Sequence, residues 1–180
     1  MPKQSDYNLK RWLEKSDGFA CLVFTDIVGS TSLLSEVGTV MYTDFRKAHQ
    51  DRANQLRRKF GGILIDQTGD SLFIVFRSVM KAYAFAVGIF ENPGNSNIKV
   101  RIGIHHGKVS ADGSALVGKA VHYAARVMQQ GKGAELWLSD FAKMSLQDES
   151  PGLAESIQWN KSEDCEFKGF EGKQKLWSAT

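Results

Sequence analysis

Hydrophobic positions Leu9, Trp12 and Leu13 fall on one face of residues 6–15, which predicts a short helix with Asp6 as N-cap and Gly18 as its stop. Residues 19–26, FACLVFTD, are almost uniformly apolar and read as a buried strand. GST at 29–31 turns the chain into a helix capped by Ser30 or Thr31. Gly38 interrupts it, and a longer stripe of Val40, Met41, Phe45, Ala48, Leu56 and Phe60 continues to Lys59. ILIDQ and SLFIVF flank Thr68-Gly69-Asp70 as a hairpin. A helix over SVMKAYAFAVGIF follows, ended by NPGNSN. IKVRIGIHHGKVS predicts a long strand or strand pair, KAVHYAARVMQQ a helix, ELWLS a strand and DFAKMSL a short helix opened by Ser139 or Asp140. Two or three further strands lie around SIQW, CEFKG and KLWS.

That order is the split βαββαβ arrangement with a helix and strands appended, an α+β class. It predicts helices over one face of a mostly antiparallel sheet. An N-terminal helical segment, 1–18, precedes one domain, 19–180; its helix packs either on the domain or on a partner.

Charge and composition narrow the classes. A formal charge of +3 over 180 residues, evenly spread, argues against nucleic-acid binding. Arg57, Arg58 and Lys59 read as a solvated helix end, where cations suit the dipole. Cys21 and Cys165 make neither a metal pattern nor a disulfide framework. The N-terminus has no apolar leader core, and no run approaches the ~20 apolar residues of a membrane span, so a cytoplasmic location without membrane contact is expected.

Two carboxylates carry the chemistry. Asp26 ends an apolar strand and Asp70 sits at a hairpin tip, and in a split βαββαβ sheet those strands adjoin. Each alone suits a solvated strand end or a plain turn. Together they make a pair for two Mg²⁺ or Mn²⁺ ions, which prefer oxygen and clamp an in-line phosphoryl displacement. Gly29, Ser30 and Thr31 place backbone N–H groups of a helix N-terminus beside them, a site for phosphate oxygens or else a simple turn. Arg126, next to small Ala124 and Ala125, can meet developing phosphate charge. Lys168 before a glycine can cap a terminal phosphate. Read singly, both also suit exposed surface positions. His105 and His106, adjacent on a strand, point to opposite faces and lack a spaced partner ligand.

TDIVGST, TGDSLFIVF, RIGIHHGKV, GKAVHYAAR, ELWLS and FKGFEG, in this order over residues 19–177, resemble the class III adenylyl and guanylyl cyclase catalytic domain. The resemblance implies a head-to-tail homodimer with two composite sites. It implies that Asp26 and Asp70, helped by the Ile27 carbonyl, bind two metal ions. From the partner chain, Arg126 would stabilise the transition state and Lys168 would hold the triphosphate. The ribose 3′-oxygen of a nucleoside triphosphate attacks the α-phosphate and pyrophosphate leaves.

The base-recognition positions depart from that family. Asp66 stands where ATP-using members carry Lys, Ala115 where they carry Asp or Thr, and His122 where a ribose-orienting Asn is usual. Guanylyl cyclases carry Glu and Cys at the base positions. His122, one turn before Arg126 on the same helix face, either replaces that Asn or is an interface histidine. Kept metal and phosphate residues with altered base positions favour a working enzyme with a different base. The short stand-alone domain with its VHYAAR segment resembles the pyrimidine cyclases of Pycsar anti-phage systems, which make cyclic UMP or cyclic CMP for a separate effector. A carboxylate at Asp66 accepts from the uracil imide or the cytosine amine, with uracil placed first. Kept open are a purine cyclase making cyclic AMP or GMP, and a non-catalytic nucleotide-binding or dimerisation module. A diguanylate cyclase or polymerase palm ranks last, since the Gly-Gly-acidic-Glu-Phe turn is missing.

Overall fold

The computed structural model describes residues 4–161 and 165–179. Helix α1 (Gln4–Glu14) precedes β1 (Phe19–Ile27), α2 (Ser30–Lys59), the hairpin β2 (Ile63–Thr68) and β3 (Ser71–Phe76), α3 (Val79–Glu91) and β4 (Val100–Lys108). A ribbon of β5 (Ser110–Asp112) and β6 (Ala115–Val117) leads into α4 (Lys119–Gln129). Then come β7 (Leu136–Ser139), α5 (Asp140–Glu149), α6 (Pro151–Ser156), β8 (Trp159–Lys161), β9 (Cys165–Glu166), β10 (Lys173–Gln174) and β11 (Leu176–Ala179). Seven strands form one sheet in the order β2-β3-β1-β4-β7-β11-β8. Its neighbours are antiparallel except β4 and β7, which the ribbon and α4 join as a parallel crossover. The α+β class and the split βαββαβ core are those read from the sequence.

Helices lie on both faces of the sheet, not one. Cys21, Val23 and Ile27 of β1 join the core under α2, α3 and α5, whereas Ala20, Leu22 and Phe24 pack toward α1, the ribbon and α4. The reason lies in β1 itself: a strand apolar at both parities needs cover on both sides. On the second face α4 presses close to β4, because Gly103 has no side chain. A Cβ there would lie 2.2 Å from the Met128 nitrogen. That close approach sets the height of the helix that carries Arg126.

Several local expectations change. Helix α1 begins at Gln4, so Asp6 lies within it and is not its N-cap. Leu9 and Leu13 are buried, and the Arg77 guanidinium sits 4.6 Å from the Trp12 ring, so α1 packs on its own domain. Gly29, not Ser30 or Thr31, is the N-cap of α2, with no side-chain cap bond. Gly38 bends that helix as expected (φ 79°, ψ 165°). Arg57, in its last turn, is more than a solvated end: its Nε donates to Asn54 Oδ1 at 2.7 Å, and burial lowers its pKa. Ser139 caps α5, its Oγ accepting from the Ala142 N–H at 3.1 Å. Helix α6 has no apolar stripe of its own and was not anticipated. Cys21 is a buried free thiol, pushed up in pKa by desolvation, as fits a small core residue. Among the described residues no helix is long and apolar enough to cross a membrane.

Candidate active site

Strand register brings the carboxylates together. Thr25 pairs with Leu72 across β1 and β3, so Asp26 comes opposite Ser71, the residue after Asp70. Ser71 Oγ donates to Asp26 Oδ1 at 2.8 Å. On the other flank Asp26 pairs with Arg101 of β4, whose Nε and Nη2 donate to Oδ2 at 3.0 and 2.5 Å. This ion pair is half-buried, with side-chain exposures of 30% for Arg101 and 15% for Asp26. Asp70 occupies the two-residue turn between the last hairpin pair, Thr68 and Ser71. The Tyr42 hydroxyl of α2 donates to its Oδ2 at 3.4 Å.

Beyond Asp26 the chain leaves the sheet quickly. Ile27 is buried and paired with Val100, and the Val28 N–H donates to the Lys99 carbonyl at 2.8 Å. Gly29 then adopts a left-handed conformation (φ 66°, ψ 30°), which any L side chain would strain by ~1–2 kcal/mol. The first intrahelical bond of α2 runs from Leu33 N–H to the Gly29 carbonyl at 2.9 Å. The N–H groups of Ser30, Thr31 and Ser32 therefore have no intrahelical acceptor, and they sit at the positive end of the helix beside Asp26.

The remaining candidates form a second group. Asp66 is exposed on β2, and its Oδ2 accepts from Thr68 Oγ1 at 2.9 Å. Ala115 is exposed on β6, and β2 and β6 lie beside each other. On α4, His122 is exposed and Arg126 half-buried, with Arg126 Nη1 donating to Gln129 Oε1 at 2.8 Å. Lys168 is exposed in the turn after β9. That turn is anchored by Phe167, 4% exposed, whose ring meets Tyr123 of α4 at 5.1 Å. Phe170 packs on the same Tyr123 ring at 5.1 Å. An aromatic cluster thus ties the Lys168 turn to the helix of His122 and Arg126. Arg126 makes no hydrogen bond or ion pair to Asp26 or Asp70 among the described residues, its partner there being Gln129.

Arg101, Tyr42, Ser71 and Tyr123 were not singled out in the sequence. The available signal for Tyr123 was an aromatic at the centre of VHYAAR with two phenylalanines in FKGF. Among the described residues no group of three or more His, Cys, Asp or Glu could hold a metal. Two carboxylates with a backbone carbonyl still suit Mg²⁺ or Mn²⁺, which commonly take one or two carboxylates plus substrate phosphates. The donors are all oxygen, which fits hard cations.

His105 and His106 do point to opposite faces. Nδ1 of each lies 2.8 Å from a serine Oγ, Ser139 and Ser145 respectively. Burial first, and the neighbouring His106 second, lower the His105 pKa to about 4. A folded pKa below the unfolded 6.5 leaves stability intact above pH 6.5 and erodes it as pH falls toward 4, since only the unfolded chain takes up the proton there. Burial lowers His106 and His49 in the same direction. Urea unfolding at pH 7.5 and pH 4.5 should therefore show a loss of about 2–3 kcal/mol, and His105→Gln should flatten that dependence.

This is the architecture of a nucleotidyl cyclase catalytic domain. The family model described as Adenylate and Guanylate cyclase catalytic domain matches residues 14–179, and the chain belongs to that family. Among solved structures it is similar to the adenylyl cyclase CyaB from P. aeruginosa (18% identity, 90% of this chain and 93% of that one, TM-score 0.75). It is also similar to the guanylate cyclase domain of RhGC from Catenaria anguillulae in complex with GTP (22%, 91% and 96%, TM-score 0.76). An adenylate cyclase from Trypanosoma brucei in its monomeric state superposes with a TM-score of 0.78 at 19% identity, covering 90% of this chain and 88% of that one. No curated protein matches the chain.

Proposed function

We propose that the protein is a pyrimidine nucleotide cyclase, converting UTP, or next CTP, to the 3′,5′-cyclic monophosphate and pyrophosphate. The observation that carries this reading is the pair of exposed base-recognition positions on adjoining strands, a carboxylate at Asp66 and a bare methyl at Ala115. Thr68 donates to Oδ2 of Asp66, and the carboxylate keeps acceptor capacity for an N–H donor such as the uracil imide or the cytosine amine. A site that supplies only an acceptor discriminates against a base edge that cannot donate to it.

The rest of the chemistry follows from the two groups of residues. Asp26 and Asp70 with the Ile27 carbonyl would hold two Mn²⁺ or Mg²⁺ ions, which would supply charge stabilisation at the α-phosphate and a lowered pKa for the 3′-hydroxyl. Arg101 balances the charge of Asp26 through their ion pair. Gly29, Ser30 and Thr31 receive phosphate oxygens at the start of α2. The partner protomer of a head-to-tail homodimer supplies Arg126 to the developing charge, Lys168 to the terminal phosphate and His122 to the ribose. The new bond joins the 3′-oxygen to the α-phosphorus, the α–β bridge breaks, and the 3′-hydroxyl proton passes to solvent. Within a cytoplasmic anti-phage system the product would activate a separate effector.

Purified protein with Mn²⁺ and equimolar ATP, GTP, CTP and UTP, followed by mass spectrometry, tests this directly. A single pyrimidine cyclic monophosphate is expected. Cyclic AMP or GMP would overturn the base assignment while keeping the cyclase, and no cyclic product would favour a silent nucleotide-binding module.

A further inference from the structure

Tyr42 has no packing role that accounts for it. Leu33 and Phe45 of the same helix pack against the core, and the residues just before it, Val40 and Met41, are 77% and 51% exposed. Tyr42 instead turns its hydroxyl to Asp70. It thus ties helix α2 to the second carboxylate, on a hairpin turn 28 residues further along the chain. At 3.4 Å the bond to Asp70 is long for O–H···O.

We propose that Tyr42 is a positioning residue whose hydroxyl orients the Asp70 carboxylate toward the divalent ion. The inference rests on the cyclase reading for its consequence in turnover, but not for its consequence in metal binding. A phenol at neutral pH donates one hydrogen bond, so it can fix Oδ2 and leave Oδ1 free for the cation. Removing the hydroxyl frees the carboxylate to rotate away without removing its charge. Cation affinity then falls, as it does when other outer partners of metal ligands are lost.

The test is Tyr42→Phe on the full chain, with Thr43→Ala on the exposed side of the same helix as control. Free Mn²⁺ is followed by electron paramagnetic resonance during titration of nucleotide-free protein, and cyclase rate is measured against Mn²⁺ at saturating nucleotide. Tyr42→Phe should raise both the Mn²⁺ dissociation constant and the Mn²⁺ concentration for half-maximal rate by about tenfold, with an unchanged melting temperature and with Thr43→Ala like wild type. An unchanged Mn²⁺ titration by resonance overturns the role of Tyr42 even where the wild type is active. So does a loss that merely follows a lowered melting temperature. A wild type that makes no cyclic product while Tyr42→Phe still weakens Mn²⁺ binding supports the positioning role and sinks the cyclase reading alone.

Discussion

Asp70→Asn should lose cyclase turnover on the order of 10³-fold, equivalent to about 4 kcal/mol in the barrier, while leaving the fold unchanged. The side chain is isosteric and sits in a two-residue turn, where its only described partner is the Tyr42 hydroxyl. An amide still accepts that hydrogen bond, so packing and register have no reason to move. What disappears is the negative charge that would hold a cation against the α-phosphate. Asp26→Asn should reach a similar loss of turnover with a further effect on stability. There the amide leaves the half-buried Arg101 guanidinium without its counter-charge, a cost of up to ~1 kcal/mol for a partly exposed pair. Pyrophosphate release in Mn²⁺, alongside thermal melting by circular dichroism, separates the two effects. A double Asp26→Asn, Asp70→Asn enzyme that still released pyrophosphate would remove the metal assignment altogether.

Local patterns carried Asp26 and Asp70 from sequence to structure because both are marked by their neighbours. One ends an apolar run and the other follows a glycine between two strand patterns, and the split βαββαβ order places those strands side by side. Arg101 carries no such mark. Its meaning arises only when β4 aligns with β1 so that residue 101 meets residue 26, a pairing between segments 75 residues apart in the chain. Tyr42 was hidden for a related reason. The stripe read along α2 after Gly38 starts at Val40 and Met41, which are 77% and 51% exposed, so it did not mark the side of the helix that meets Asp70. The cap of α2 was misassigned to Ser30 or Thr31 because hydroxyl residues are the usual signal, whereas Gly29 takes a left-handed conformation that they would resist. The two-sided cover of the sheet was legible in the double parity of FACLVF, but the α+β order alone suggested helices on one face. The placement of the β5–β6 ribbon near β2 is not specified by any local pattern, since each ribbon strand is only three residues long.

Mixed dimers of two dead variants should regain activity. Asp70→Asn damages the half-site at the ends of β1 and β3, and Arg126→Ala damages the half-site on α4. The arginine should be worth on the order of 10²–10³-fold in turnover, as for other donors aimed at developing oxyanion charge. Arg126 is half-buried and bonded only to Gln129 of its own helix among the described hydrogen bonds and ion pairs, so its removal should leave the protomer folded. In a head-to-tail dimer each composite site takes its carboxylates from one protomer and its arginine from the other. A heterodimer then gathers both defects into one site and leaves the second intact. With random pairing about half of the dimers are heterodimers, each with one working site of two, so co-folded variants should recover about a quarter of the wild-type rate. Co-expression with two different affinity tags and tandem purification raises that to about half, because homodimers are removed. If the tandem-purified heterodimer were no more active than either parent, the carboxylates and Arg126 would have to serve the same protomer. Arg126, which makes no hydrogen bond or ion pair to those carboxylates among the described residues, would then need a conformational change within the protomer to reach them.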